Sequence, residues 1–301
     1  MSQLNARREL SSIPVVGTRL LRDGSFEALG TLFDDKKHKL VSIESEERAN
    51  LAARDNSISS VVTLEELANK ISAEVGVLVS NNPTASFYEI HNKLAKESSF
   101  YGEPSKSIID STAKVHPTAS IAQYSVHIGR HCRIGPNAAI GEKSVLGNNV
   151  AVGPGSVVGC DSSASFKKDG VEHTIVSTGG VTIMDHAEID ANCRISRAIL
   201  GGNTVIGEYT MIDNLVTLGE NVQIGRRCLL VADCAIGPNT HVEDDVWIGP
   251  KAVIKDNLTI GKEAFVALGS LVAKDVKPGT RIIGNFVVED QKLKDFLTKP
   301  K

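Results

Sequence analysis

Eight histidines, five cysteines and the adjacent Arg226 and Arg227 are the side chains whose types invite a search for chemistry. Imidazoles and thiolates hold transition metals when they cluster at ligand spacing. Here His116, His127, His131, His173, His186 and His241 give no clear trio, and Cys132, Cys160, Cys193, Cys228 and Cys234 contain no Cys-x-x-Cys pair. No metal is expected, and an odd number of cysteines speaks against a disulfide framework. An arginine pair suits phosphate. Asp244 and Asp245, however, follow Arg226 and Arg227 at a spacing of 18, and if 18 residues make one coil of the backbone, these charges form a ladder between coils instead.

The element that must position such groups is a repeat of six. From Ile206 an aliphatic residue recurs at every sixth position: Ile206, Ile212, Leu218, Ile224, Leu230, Ile236, Val242, Ile248, Ile254, Ile260, Val266, Val272. An earlier run (Ile128, Ile134, Ile140, Leu146, Val152, Val158) has the same spacing, with Gly following each member. A period of six fits neither a helix face nor a plain alternating strand, but it fits a solenoid of short strands and corners. Three sides close a coil of about 18 residues, stacked on the next by parallel pairing at about 4.8 Å. The aliphatic position fills a narrow bore, consistent with only 4% aromatics. Gly after it is expected where a sharp turn demands unusual φ/ψ. Alternation turns a second position inward, two residues earlier, and Cys132, Cys193, Cys228 and Cys234 occupy it as small buried hydrophobes.

The repeat lapses between Val158 and Ile183. The polar segment 160–180 is expected to leave the coil as a loop and to act as a substrate arm. Residues 1–105 lack the hexad and read as a small α/β domain, with strands at Ser60–Thr63 and Val75–Ser80. Thr63 and Glu66 have capping-box spacing for a short helix between them, and Pro83 is placed to open a second helix carrying Phe87, Ile90 and Leu94. The β-helix spans 106–285, and 286–301 reads as a short C-terminal helix. The fold class is therefore mainly β: a parallel β-helix with a small α/β unit in front. The 33 Lys+Arg against 36 Asp+Glu give a net charge of -3 without a one-signed block, which sets nucleic acid aside. No apolar run reaches 18 residues, so neither a membrane span nor a secretory signal is expected and the protein reads as cytoplasmic.

The hexads resemble those of the left-handed β-helix, or hexapeptide-repeat, acyltransferases. Gly269-Ser270-Leu271-Val272-Ala273-Lys274-Asp275-Val276, with Pro278-Gly279 and Gly284-Asn285, is similar to their closing stretch. Within that superfamily the chain resembles the UDP-3-O-acylglucosamine N-acyltransferases of lipid A synthesis. The pieces that carry this likeness are Asn82-Pro83, Gly179-Gly180-Val181-Thr182-Ile183, and Val205-Ile206-Gly207 leading to Met211-Ile212-Asp213-Asn214-Leu215-Val216. It departs where the family carries its catalytic histidine: here stands Leu218-Gly219-Glu220-Asn221. A second family histidine would fall near Asp256-Asn257 and is also absent.

The resemblance implies a homotrimeric N-acyltransferase of lipopolysaccharide biosynthesis type, moving an acyl group from acyl-CoA or acyl carrier protein to a nucleotide-linked amino sugar in clefts between subunits, without a metal. Such chemistry needs a free amine, a proton acceptor and a donor for the oxyanion. Glu220 stands where the base should be. His241 is the alternative base, since it precedes inward Val242 and faces outward. Asp213, Asn214, Asn221 and His186 are the expected sugar contacts, and Lys251, Lys274 and Lys277 the expected contacts to the donor's phosphates. Two rival readings keep the fold: a non-catalytic scaffold or regulatory subunit, which loss of both histidines would allow, and a γ-type carbonic anhydrase, which needs three converging histidines.

Overall fold

The structure, a computed structural model, describes residues 6–32, 34–97 and 100–284. The expected C-terminal helix at 286–301 lies outside the described residues. Two-residue strands recur through the hexad region and pair in parallel into three sheets of eight, eight and nine strands, the three walls of a left-handed parallel β-helix. A residue meets its counterpart 18 positions on, as Gln223 meets His241 and His241 meets Thr259. Each short strand turns one residue out and one in. The inward column from Ile206 to Val272 is buried throughout.

The small second slot is buried too, from Thr204 through Cys228 and Cys234 to Ala252. Its hydroxyls are satisfied by the coil itself: Thr210 Oγ1 donates to the carbonyl of Gly225 at 2.8 Å, and a buried donor needs such a partner.

The corners differ from the expectation in one respect. At most corners the left-handed residue is not the glycine after the aliphatic but the residue two positions further on, as at Asn221, Asn239 and Asn257 with φ of 58°, 56° and 59°; Gly159, where the chain leaves the coil, is an exception. Short amide side chains tolerate this region. The glycine answers a different demand, because a Cβ on Gly219 would lie 2.7 Å from the backbone nitrogen of Pro238 on the next coil. Close stacking of coils, not turn geometry, excludes a side chain there.

Residues before the β-helix form a sheet of β1 (Thr18–Arg22), β2 (Ala28–Leu29), β3 (Lys39–Ile43), β4 (Ile58–Thr63) and β5 (Gly76–Ser80), in the order β1-β5-β4-β3-β2. Only β1 runs antiparallel to its neighbour. Helix α1 (Glu46–Ala52) joins β3 to β4, with Ser45 as its N-cap. Helix α2 (Pro83–Leu94) follows β5 with Pro83 in its first turn, and the side chain of Asn82 accepts from the Ala85 nitrogen at 3.0 Å. It buries Phe87, Ile90 and Leu94 against the sheet. The capping box at Thr63 does not form. Thr63 Oγ1 donates instead to the Ile43 carbonyl at 2.9 Å, and Glu65–Lys70 winds into a 3-10 helix with no side-chain cap.

Segment 160–180 leaves the coil as an antiparallel hairpin of β6 (Ser165–Lys168) and β7 (Val171–Thr174). The hairpin lies on α2: Phe166 stacks on Tyr88 at 5.9 Å, and Lys168 pairs with Glu89 at 2.7 Å. Two lysines tie the units together. Lys36 donates to the carbonyls of Leu29 and Leu200, and Lys143 to those of Tyr101 and Thr178.

Candidate active site

Where the α/β unit, the base of the hairpin and the β-helix meet, they enclose a cleft of about 1310 Å³. Its β-helix wall is polar because two ladders run along it in register. One is Gln223, His241 and Thr259, the outward residues of stacked strands. The other is Asn221, Asn239 and Asn257, the left-handed corner residues of the same coils. Asn221 Nδ2 donates to Asn239 Oδ1 at 3.0 Å, and its backbone N–H to Thr204 Oγ1 at 2.9 Å. The facing wall brings Tyr88 from α2, Arg48 from α1, and Asp34 and Lys36 from the loop before β3.

Glu220 lines this cleft, half-buried, and its Oε2 accepts from the Ser162 hydroxyl at 2.8 Å. His241 is exposed on the same wall. The 18-residue spacing stacks His241 on Gln223 rather than on Glu220, yet the cleft holds Glu220, Asn221 and His241 together. Burial, reinforced by the charge of Glu220 and opposed by that of Arg48, raises the Tyr88 hydroxyl above the usual tyrosine range. Tyr88 is therefore a hydrogen-bond donor at neutral pH. Burial also lowers the Lys36 ammonium, against the pull of Asp34.

The remaining expected residues lie elsewhere. Asp213 and Asn214 occupy a different edge of the β-helix and bind backbone: Asp213 Oδ2 accepts from the Ala232 nitrogen at 3.1 Å, and Asn214 Oδ1 from the Ala191 nitrogen at 3.1 Å. His186 sits at the third edge, exposed, with its ring stacked on Tyr209 at 4.7 Å. Lys251 pairs with Asp233 at 3.3 Å, while Lys274 and Lys277 are exposed near the last coils. Arg226 and Arg227 form the inter-coil ladder with Asp244 and Asp245, each at 2.7 Å. Among the described residues no group of three or more His, Cys, Asp or Glu is placed to hold a metal, and no helix is long and apolar enough to cross a membrane.

Sequence reasoning missed Tyr88, Arg48 and Ser162, which are brought in by tertiary contact and carry no local signal. Asn239 and Asn257 were within reach, since they lie one and two coils, 18 and 36 residues, beyond the expected Asn221.

The family model described as "GMPPB C-terminal domain" matches residues 124–243. Over 132 residues the chain is 40% identical to the UDP-3-O-acylglucosamine N-acyltransferase of Anaeromyxobacter sp. (strain Fw109-5), covering 42% of this chain and 37% of that protein. It is 49% identical over 123 residues to the protein of the same name from Rhizobium meliloti (strain 1021), covering 41% and 34%. The chain thus spans about a third of the length of these curated relatives. Among solved structures, the UDP-N-acetylglucosamine acyltransferase of Francisella novicida matches at 26% identity, over 58% of this chain and 66% of that one, with a TM-score of 0.43. The chain resembles the UDP-3-O-acylglucosamine N-acyltransferases, as its hexads and its Met211–Val216 run imply.

Proposed function

We propose that this protein is an N-acyltransferase that moves an acyl group from an acyl thioester to the amine of a nucleotide-linked amino sugar, in the cleft lined by Glu220, Asn221 and His241. The observation that carries the proposal is the meeting of two proton acceptors, Glu220 and His241, on one polar wall beside a large cleft, in a chain whose curated relatives are named as N-acyltransferases of a UDP-sugar.

The chemistry follows from the groups present. A sugar ammonium gives a proton to the Glu220 carboxylate or to the His241 imidazole, and the free amine attacks the thioester carbonyl. Collapse of the tetrahedral intermediate forms the amide and breaks the C–S bond. The attacking nitrogen loses its second proton to the departing thiolate, and the proton taken by the side-chain acceptor passes to solvent, so the protons balance. The cleft's carboxylates (Asp34, Asp35, Glu47, Glu220) outnumber its cations (Lys36, Arg48), a field that favours an ammonium acceptor. Arg48, whose side chain makes no hydrogen bond or ion pair within 4.0 Å among the described residues, is available for the nucleotide's phosphates.

Acyl-CoA or acyl carrier protein is the donor in this reading, with Lys251, Lys274 and Lys277 near its phosphates. Asp213, Asn214 and His186 can serve as sugar contacts only if a neighbouring copy brings another edge of the β-helix to the cleft. A homotrimer would do so, and the reading includes one, working in the cytoplasm. The test is to mix the protein with acetyl-CoA, longer acyl-CoAs or acyl carrier protein and with UDP- or dTDP-amino sugars while following free thiol. Thiol release that depends on the amino sugar supports the reading. No release with any pair contradicts it and favours a scaffold.

A further inference from the structure

We infer that Ser162, at the base of the hairpin, is a positioning residue that fixes the carboxylate of Glu220. The inference rests on the reading of Glu220 as the group that handles the acceptor amine. Ser162 Oγ lies 2.8 Å from Glu220 Oε2. Its own lone pair accepts from the Ala164 nitrogen at 3.2 Å, and a hydroxyl has one proton to give. That proton therefore goes to Glu220, while Oε1 makes no hydrogen bond to another described residue and is left for a substrate.

The serine is itself held. Its N–H donates to Ser177 Oγ at 3.3 Å. The preceding Asp161 is clamped by the β-helix, with Arg197 Nε on its carboxylate at 2.7 Å and Arg194 Nη2 on its carbonyl at 2.9 Å. Beyond Ser162 the hairpin is pinned to α2 by the Phe166–Tyr88 stack and the Lys168–Glu89 pair. A long, half-buried carboxylate otherwise samples several rotamers, and a donor on a braced segment removes that freedom before substrate arrives. Serine at this point of the arm thereby has a use beyond closing a turn.

The test compares wild type with Ser162→Ala, Ser162→Thr, Glu220→Gln and the Ser162→Ala/Glu220→Gln double variant. In thiol-release kinetics Ser162→Ala is expected to lower kcat about fivefold or more with KM within about twofold, Ser162→Thr to restore it, and Ser162→Ala to add nothing in the Glu220→Gln background. A second readout needs no turnover. The ¹³C-carboxyl resonance of Glu220, assigned by its loss in Glu220→Gln, should move in Ser162→Ala and return in Ser162→Thr. Ser162→Cys, of similar size but a weaker donor, gives an intermediate shift and serves if the alanine variant does not fold. A resonance unmoved by loss of the hydroxyl, or additive kinetic losses in the double variant, overturns the assignment. Absence of thiol release by wild type refutes the acyl-transfer reading alone, and the resonance still decides the role of Ser162.

Discussion

His91 Nε2 lies 2.7 Å from the carbonyl oxygen of Val176, joining α2 to the end of the hairpin. A carbonyl only accepts, so Nε2 carries the proton and Nδ1, 2.7 Å from the Tyr101 hydroxyl, accepts from it. The ring is fully buried, and burial pulls its pKa down to about 4, against the opposing effect of the Val176 carbonyl. The folded state thus binds this proton more weakly than the unfolded chain, whose histidine titrates near 6.5. Stability must rise with pH across that window and be lost as pH falls from about 6.5 to about 4. The loss is expected to reach about 3 kcal/mol. Urea denaturation at pH 7, 5.5 and 4 should show it, and the decline should shrink in His91→Gln. An equal decline in the variant would locate the acid-labile group elsewhere.

Glu220→Gln keeps the size of the side chain and removes its ability to accept a proton. Turnover is expected to fall at least about tenfold, with the thermal midpoint little changed because Ser162 can still donate to the amide oxygen. Full activity in the variant would move the role to His241.

Asp213 and Glu220 stand on different edges of one β-helix, so a site that uses both must be built from two copies. Chains carrying Glu220→Gln and chains carrying Asp213→Ala, each impaired alone, should regain activity when co-assembled. Random mixing into a cyclic trimer restores about a quarter of the sites. Activity that stays at the level of the separate variants would show that the two residues do not serve a shared site.

Four of the five thiols are buried in the bore and Cys160 is half-exposed. Burial raises the thiols of Cys132 and Cys193, pushes Cys228 up to about 11 and Cys234 up to about 12. A thiol needs its thiolate to react. An aromatic disulfide reagent at pH 8 should therefore titrate Cys160 alone in the native protein and all five cysteines in denaturant. Rapid reaction of a second native thiol would contradict the packing of the bore.

The β-helix was legible because its physics is periodic: one inward aliphatic per hexad, read from Ile206 to Val272, sets the coil length and hence which residues stack. That arithmetic placed His241 on Gln223 and paired Arg226 with Asp244. It failed where the controlling contact is remote in sequence. The glycines after the aliphatics look like turn residues until Gly219 is seen against Pro238 of the next coil. Thr63 has the spacing of a cap but donates to Ile43 on the neighbouring strand. The cleft itself was beyond reach, since Arg48, Tyr88 and Ser162 come to Glu220 only through the docking of α1, α2 and the hairpin.

The most direct test of the central claim is a crystal structure of the protein soaked with a UDP- or dTDP-amino sugar. The account predicts the sugar in the cleft between the α/β unit and the β-helix, with its amine within about 2.6–3.2 Å of Glu220 Oε1 or a ring nitrogen of His241. A nucleotide sugar bound away from this cleft, with its amine remote from both residues, would contradict it.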